Sequence, residues 1–278
     1  MFILTVLSLL VLVFMGVGLY MKSRMILNEH SLWDLLTNAD WKPLSEEFGF
    51  LPFIIGTLAV TALSILIALP ISLLSAIYLS EYAHSWTKRV IFPVLDILAG
   101  IPSVVFGVWG TLIIVPWIAD KLGPHFVEYT SGYTVLASGI VLGVMILPIL
   151  VSLFIEIFTI VPQDYRDAAA SLGATKWQIS TKVILRKSMP GIIAAVVLAI
   201  SKAFGETIAV LMVCGNYAEI PHSLFDSCYP LPALIANNYG EMLSLPLYES
   251  ALMFAAFILF FIILVFNLCL LYTSDAAD

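Results

Sequence analysis

The sequence predicts an all-α membrane protein folded as a polytopic bundle of six helices. Of its 278 residues, 61% are hydrophobic and only 11% are charged, and the mean hydropathy is +1.05. Soluble domains are about 45–50% apolar and about 25% charged. Six apolar runs also reach the length of about 20 residues that a membrane-crossing helix needs. Membrane lipid is therefore an expected partner. Nucleic acid is not, because no basic patch is interleaved with aromatic residues.

The six apolar runs divide the chain in order. The first has no basic lead and is longer than the apolar core of a signal peptide, about 7–15 residues, so we interpret it as a span. The predicted organisation is a first helix over residues 1–21, an external connection over 22–50, a transmembrane domain over 51–272 and a tail over 273–278. The predicted spans are Phe2–Tyr20, Leu51–Leu79, Val90–Ala119, Tyr133–Phe158, Gly191–Val213 and Ala251–Tyr272.

Basic residues in the connections predict the orientation. Segments 80–89 and 159–190 hold seven lysines and arginines, whereas the connections on the opposite side hold four. Since short cytoplasmic loops are enriched in Lys and Arg, both termini and the 159–190 loop are predicted to be cytoplasmic. Lys22 and Arg24 oppose this bias.

The predicted cytoplasmic loop is not a plain linker. Pro162 suits the first turn of a helix, the stretch QDYRDAAASL continues that helix, and Gly173 stands where a left-handed C-terminal cap is expected. Thr175 can then cap a second helix through KWQISTKVIL. The pattern predicts a helix–glycine–helix elbow, and an interfacial hairpin that only stabilises the bundle would show the same pattern.

Prolines and small residues lie inside two predicted spans. Pro102 and Pro148 are expected to kink their helices, because a membrane helix tolerates proline where neighbours satisfy the freed carbonyls. Gly100, Ser103 and Gly107 favour close helix–helix contact.

Three of the charged residues inside the predicted spans bear on function. A charge at the bilayer centre costs about 2.5–3.5 kcal/mol on insertion scales, and such charges usually face the bundle interior or a water-filled path. Lys202 and Glu206 are four residues apart, so on a helix they share a face and can pair. They either lock helices together or line a substrate path. Asp96 is interpreted either as a residue near the cytoplasmic interface or as a path residue.

No catalytic residue, metal site or cofactor site is predicted. The chain lacks a G-x-x-x-x-G-K-[ST] phosphate loop, an H-E-x-x-H zinc motif and a Gly-x-Ser-x-Gly elbow. Its four histidines are scattered. Its three cysteines have no metal-ligand spacing and are interpreted as incidental, although Cys214 and Cys228 can lie on the same side of the membrane.

The stretch DAAASLG, residues 167–173, resembles the coupling motif of ABC importer permeases. Asp167 stands for the motif's glutamate, Ala168, Ala169 and Gly173 match it, and the leucine–proline near its end is replaced. The stretches LAGIPSVVFG, SKAFGETIAVLMVCGN, FGFLPFIIGTL and HSLFD are similar to phosphate-specific ABC permeases, the PstC type more than its PstA partner.

This resemblance implies a type I, MetI-like permease fold in a prokaryotic cell membrane. It implies that Asp167, Ala168, Ala169 and Gly173 contact a partner ATPase dimer, which uses ATP while this chain binds no cofactor. It also implies a second homologous permease and an extracytoplasmic phosphate-binding protein as partners.

The same resemblance implies a phosphate path near Lys202 and Glu206. The residues expected along it are Ser201, Lys202, Glu206, Thr207 and Asp96. The family has an arginine where this chain has Lys202, whose ammonium lacks the planar fork that grips phosphate at two points. Glu206 is expected to hold Lys202 and to release it as the path opens.

Three alternatives remain open from the sequence. The cargo can be another oxyanion, namely sulfate, molybdate or tungstate, because nothing in the spans reads the anion's identity. A stand-alone secondary transporter would lack the elbow and would show inverted repeats. A structural or sensory membrane subunit is the third. The short lead before the first span and the acidic tail YTSDAAD depart from the family, so we expect a truncated start and a non-native tail.

Overall fold

The computed structural model describes residues 2–240 and 245–275, and most of them are helical. A short antiparallel pair, β1 Trp41–Lys42 and β2 Glu47–Phe48, precedes the second long helix. The α-helices are α1 Phe2–Glu29, α2 Leu32–Thr37, α3 Leu51–Ile77, α4 Ser85–Gly100, α5 Ser103–Trp109, α6 Val115–Trp117, α7 Val135–Ile160, α8 Gln163–Ser171, α9 Lys176–Gln178, α10 Leu185–Lys187, α11 Met189–Gly205, α12 Ile208–Leu211, α13 Leu231–Asn238 and α14 Pro246–Asp275. Wider π-helical turns extend several of them, at Tyr78–Tyr82, Gly110–Ile114, Ile118–Leu122 and Ile179–Ile184.

The predicted six-span bundle is confirmed. Five helices are long and apolar enough to cross a membrane, and the pair Lys176–Lys187 and Met189–Gly205, bent by 69°, makes a sixth if it is one span. The first helix runs on to Glu29, beyond the predicted end at residue 21. The last runs to Asp275, so half of the predicted tail is helical and residues 276–278 lie outside the described part.

The prediction of one continuous span over Val90–Ala119 is wrong. Helix α4 ends at Gly100, Ile101 is extended with ψ 130°, and α5 begins at Ser103. The cause is Pro102, which has no N–H to donate and which pushes the residue before it out of the helical region. Pro102 therefore separates two helices instead of kinking one, whereas Pro148 stays inside the unbroken α7.

Helices α3 and α7 pack along each other at the centre of the bundle. Small residues allow the approach: a Cβ added to Gly139 would lie 2.6 Å from Leu63 Cδ2, and one added to Gly143 would lie 3.2 Å from the Ser64 oxygen. Helix α1 packs against α14, and α11 lies against both α7 and α14. Large apolar side chains such as Phe14 are exposed, as expected for a bundle whose outer surface meets lipid.

Long-range hydrogen bonds define two ends of the bundle. At one, the cap end, the Val135 N–H donates to the Asp226 oxygen over 2.9 Å and the Leu231 N–H donates to Thr57 Oγ1 over 2.9 Å. At the other, the elbow end, Arg166 contacts Glu81. Because α3 and α7 both begin at the cap end and finish at the elbow end, they run parallel.

Candidate translocation path and coupling elbow

The elbow, residues 162–187, forms as the local sequence predicts. Pro162 takes an extended conformation immediately before α8. Inside α8, Gln163 Nε2 donates to Asp167 Oδ1 over 3.0 Å, an (i, i+4) contact on an exposed face. Asp167 and Ala168 are exposed, and Ala169 is half-buried.

Gly173 ends α8 in the left-handed conformation, with φ +81°. Its N–H donates to the Ala170 oxygen over 2.9 Å, and the Ala174 N–H donates to the Ala169 oxygen over 3.1 Å. These two bonds form a Schellman motif, which satisfies carbonyls that the helix end leaves unpaired. The predicted glycine cap is confirmed.

Thr175 starts the second arm of the elbow. Its hydroxyl accepts from the Gln178 N–H and the Gln178 side chain accepts from the Thr175 N–H, a complete capping box. The arm continues through a π-helical turn into α10, and after Ser188 the chain turns into α11. Pro190 lies in the first turn of α11, where its missing N–H costs nothing.

The elbow carries an exposed apolar surface that the sequence reasoning missed. Leu172 is 89% exposed and Trp177 is 57% exposed, and Tyr165 joins them on the elbow. The sequence signal that could have revealed this surface is the position of these apolar residues on either side of Gly173. Exposed apolar surface of this kind marks a site where another protein or a membrane binds.

Arg166 anchors the elbow to the bundle, and the sequence reasoning missed this residue too. Its Nη2 lies 3.0 Å from Glu81 Oε1 and its Nε lies 3.3 Å from Glu81 Oε2. The same guanidinium donates to the carbonyls of Phe158 and Val161 at the end of α7. Both charged side chains are only 15% exposed. A cavity of about 290 Å³ opens beside this pair, between the two arms of the elbow.

The helix that carries Lys202 breaks before Glu206. Helix α11 ends at Gly205, Glu206 is extended with φ −73° and ψ 125°, and α12 begins at Ile208. The prediction that Lys202 and Glu206 share a helix face and pair is therefore wrong. Glu206 Oε1 instead accepts from the Ala209 N–H over 3.3 Å. We call residues 205–207 the path break.

Helix α12 packs tightly against α5. A Cβ on Gly107 would lie 2.6 Å from Met212 Sδ and 3.2 Å from Ala209 Cα, and Thr111 Oγ1 donates to the Met212 oxygen over 3.1 Å. The predicted close contact at Gly107 is confirmed, whereas Gly100 has no atom within 4 Å of its Cβ position.

A second glycine lies between α7 and the segment that follows α12. A Cβ on Gly110 would lie 2.6 Å from Val141 Cγ2 and 2.9 Å from Val213 Cγ1, so Val213, two residues after α12, lies beside the part of α7 near Val141. Irregular backbone at membrane depth is tolerated where protein buries it or where it lines a water-filled cavity.

Four of the five predicted path residues, Ser201, Lys202, Glu206 and Thr207, lie in the break or within four residues before it. Lys202 is exposed and has no ion-pair or hydrogen-bond partner among residues 2–240 and 245–275. Ser201 Oγ is buried, and within the same residues it also has no hydrogen-bond partner. Thr207 Oγ1 donates to the Gly205 oxygen over 3.2 Å. A cation, a buried hydroxyl and a helix break thus lie within residues 201–207.

Asp96 lies away from this group. With Glu156 and Ser152 it lines a cavity of about 260 Å³ between α4 and α7, close to the elbow end of α7. Val141 and Glu156 are fifteen residues apart on α7, which is about 22 Å along the helix axis, so the cavity that Asp96 lines lies nearer the elbow end than Gly110 and Val213 do. Glu156 was missed by the sequence reasoning.

The residues that the structure describes contain no cluster of three or more metal-ligating side chains. A membrane bundle with a helix–glycine–helix elbow at one end and a broken helix inside defines a class, the permease subunits of ABC importers. The chain belongs to the family of binding-protein-dependent transport system inner membrane components, whose profile matches residues 68–275.

Two relatives agree with this family, and a solved structure shares the fold. A probable ABC transporter permease protein, YqgH of Bacillus subtilis, is 40% identical over 84% of this chain and 74% of its own length. The phosphate transport system permease protein PstC of Pasteurella multocida is 34% identical over 83% of this chain and 76% of its own length. In a crystal structure of a bacterial alginate ABC transporter with its periplasmic protein, one chain matches the fold with a TM-score of 0.58 and 16% identity, covering 100% of this chain and 94% of its own.

Proposed function

We propose that this chain is the transmembrane permease subunit of an ATP-driven ABC importer for inorganic phosphate. The observation that carries the proposal is the free ammonium of Lys202 beside the path break, inside a bundle whose relatives include phosphate permeases. A cation at membrane depth without a counter-charge is costly, and a passing anion offsets that cost.

Glu206 supports this role because it forms no ion pair with Lys202. Because its carboxylate accepts from the Ala209 N–H, it lies at the start of α12 and does not neutralise Lys202. The broken helix adds backbone groups that a hydrated anion can reach. A single lysine binds phosphate as a point charge, so the contact is weak enough to release the anion, as conduction requires.

The elbow is the proposed contact with the ATPase subunits. Its exposed surface includes Leu172 and Trp177, next to the Asp167–Gly173 motif. Movement of the ATPase pair would push this surface, and the Arg166–Glu81 contact would carry the push to α3. This chain then moves between outward-open and inward-open states without hydrolysing ATP itself.

The remaining partners follow from the same role. A second homologous permease would pack beside this chain, and an extracytoplasmic phosphate-binding protein would deliver the anion to the cap end. The protein would lie in a prokaryotic cell membrane with both termini and the elbow in the cytoplasm, as the distribution of basic residues indicates.

The test is uptake of radiolabelled phosphate in cells that lack their own high-affinity phosphate importer. The chain is expressed with its neighbouring permease, ATPase and binding-protein genes, with excess sulfate, molybdate or tungstate as competitor. We expect ATP-dependent uptake that the competitors do not change. Uptake that a competitor abolishes would assign that oxyanion instead, and uptake by this chain alone would indicate a secondary transporter.

A further inference from the structure

Two cysteines that the proposed transport role does not use lie side by side at the cap end. The Cys228 N–H donates to the Cys214 oxygen over 2.9 Å, and Gly215 and Cys228 form an isolated parallel bridge. Both side chains are wholly buried. The bridge pairs Cys228 with Gly215, the residue directly after Cys214, so the two cysteines lie on neighbouring segments of chain, which in a bridge are about 4.8 Å apart.

The two thiols also contact each other. The Cys228 thiol donates a hydrogen bond to the Cys214 sulfur, which lowers the pKa of Cys214 and raises the pKa of Cys228. Cys214 Sγ lies 3.1 Å from Asn216 Oδ1 as well. Cys214 is therefore the thiol of the pair that deprotonates more readily.

We propose that Cys214 and Cys228 form an intramolecular disulfide when the loop between them opens and exposes the two thiols to a disulfide oxidant. The Cys214 thiolate attacks one sulfur of the oxidant, forms a mixed disulfide and releases the oxidant's other half as a thiolate. The Cys228 thiolate then attacks the Cys214 sulfur and releases the second half. The two cysteines lose two electrons and two protons, and the oxidant becomes two thiols.

The bond joins the segment after the path break to the centre of the bundle. Cys214 lies three residues after α12, and Cys228 packs on α3, where a Cβ on Gly56 would lie 3.5 Å from Cys228 Cβ. The residues between the cysteines form a loop that Ser227 Oγ holds to the Tyr133 oxygen over 2.7 Å. The disulfide closes this loop covalently.

The setting favours oxidation if the cap end is extracytoplasmic. Disulfides persist outside the cytoplasm and are rare inside it. The extracytoplasmic placement of the cap end rests on the orientation given in the proposed function. The experiment that tests the disulfide counts thiols and does not measure transport. A failure of phosphate uptake would therefore contradict the proposed function without contradicting the disulfide.

Counting thiols tests the proposal directly. Membranes that contain the chain with its co-expressed subunits are treated with hydroxyethyl disulfide, acid-quenched, unfolded and alkylated, and the intact chain is weighed by mass spectrometry. The chain has three cysteines, so closure of the pair leaves one alkylated thiol, Cys269, and reduction before alkylation restores all three. Three alkylated thiols after treatment would overturn the proposal.

Cysteine-to-serine variants identify which two cysteines form the disulfide. Cys228→Ser should stop at the mixed disulfide on Cys214, visible as the added mass of one hydroxyethylthio group. Cys269→Ser is the matched control and should still close the pair, leaving no thiol to alkylate. A link that Cys269→Ser abolishes, or one that joins two chains on a non-reducing gel, would contradict an intramolecular Cys214–Cys228 bond.

Discussion

Arg166 and Glu81 join the elbow to α3 through two nitrogen–oxygen contacts, of 3.0 Å and 3.3 Å. Arg166 also donates to the last carbonyls of α7, so one guanidinium holds the elbow to both helices at the centre of the bundle. Because the arginine fork is planar and rigid, it fixes orientation as well as distance. A force on the elbow therefore reaches α3 and α7 without passing through a flexible connection.

Arg166→Gln should be more damaging than Glu81→Gln. Losing Arg166 leaves the Glu81 charge without its cation and frees the α7 carbonyls, which costs about 3–5 kcal/mol for a buried pair. Glu81→Gln leaves the arginine with its two carbonyl acceptors, so we expect a loss of about 1–3 kcal/mol. Thermal unfolding in detergent and phosphate uptake measure the two effects.

Arg186→Gln is the matched control, because Arg186 lies on the same elbow, is exposed and forms no ion pair among the described residues. Its unfolding temperature should not change. Equal losses in Arg166→Gln and Arg186→Gln would show that elbow charge, and not the Glu81 contact, matters.

Gly173→Asp should abolish uptake while the protein still inserts. The position is exposed, and a side chain there meets no atom within 4 Å, so the bundle is undisturbed. An aspartate adds a negative charge to the proposed ATPase contact, and its left-handed φ costs about 1 kcal/mol. Gly173→Asn, which tolerates this φ without a charge, should keep most of the uptake. If Gly173→Asp transports at the normal rate, the elbow is not the coupling site.

Lys202→Gln should reduce phosphate uptake at least tenfold with assembly intact. The ammonium has no partner among the described residues, so its removal breaks no contact there, and only the passing anion loses its counter-charge. Lys202→Arg keeps the charge and should keep uptake. Size-exclusion chromatography of the complex checks assembly, and unchanged uptake in Lys202→Gln would assign the lysine a structural role.

Gly110→Ala should destabilise the bundle by about 1–3 kcal/mol, because its Cβ would overlap the branched side chains of Val141 and Val213, which cannot swing away. Gly107→Ala should cost less, since the nearest atom belongs to the flexible Met212 side chain. Gly100→Ala meets no neighbour and serves as the neutral control. Thermal unfolding measures all three, and a neutral Gly110→Ala would show that Val141 and Val213 can move away from Gly110.

The elbow could be predicted from sequence because its signals are local. Pro162, Gly173 and Thr175 restrict their own backbone angles and satisfy hydrogen bonds only a few residues away. The number of spans was equally accessible, since a continuous apolar run of sufficient length carries the information by itself.

The helix breaks and the long-range contacts depend on how the helices pack in three dimensions. The predicted span Gly191–Val213 runs past Gly205, yet the helix ends there, and α12 packs on Gly107, a residue about one hundred positions earlier. Periodicity placed Lys202 and Glu206 on one face because it assumes a continuous helix.

Arg166 and Glu81 are 85 residues apart, and their contact exists only because α3 and α7 end at the same side of the bundle. The sequence by itself thus determined the class of fold, the spans and the elbow, whose signals are carried by neighbouring residues. Only the packed bundle decided which charges pair, which stay free and where a membrane helix breaks, because those outcomes depend on residues that the chain brings together from a distance.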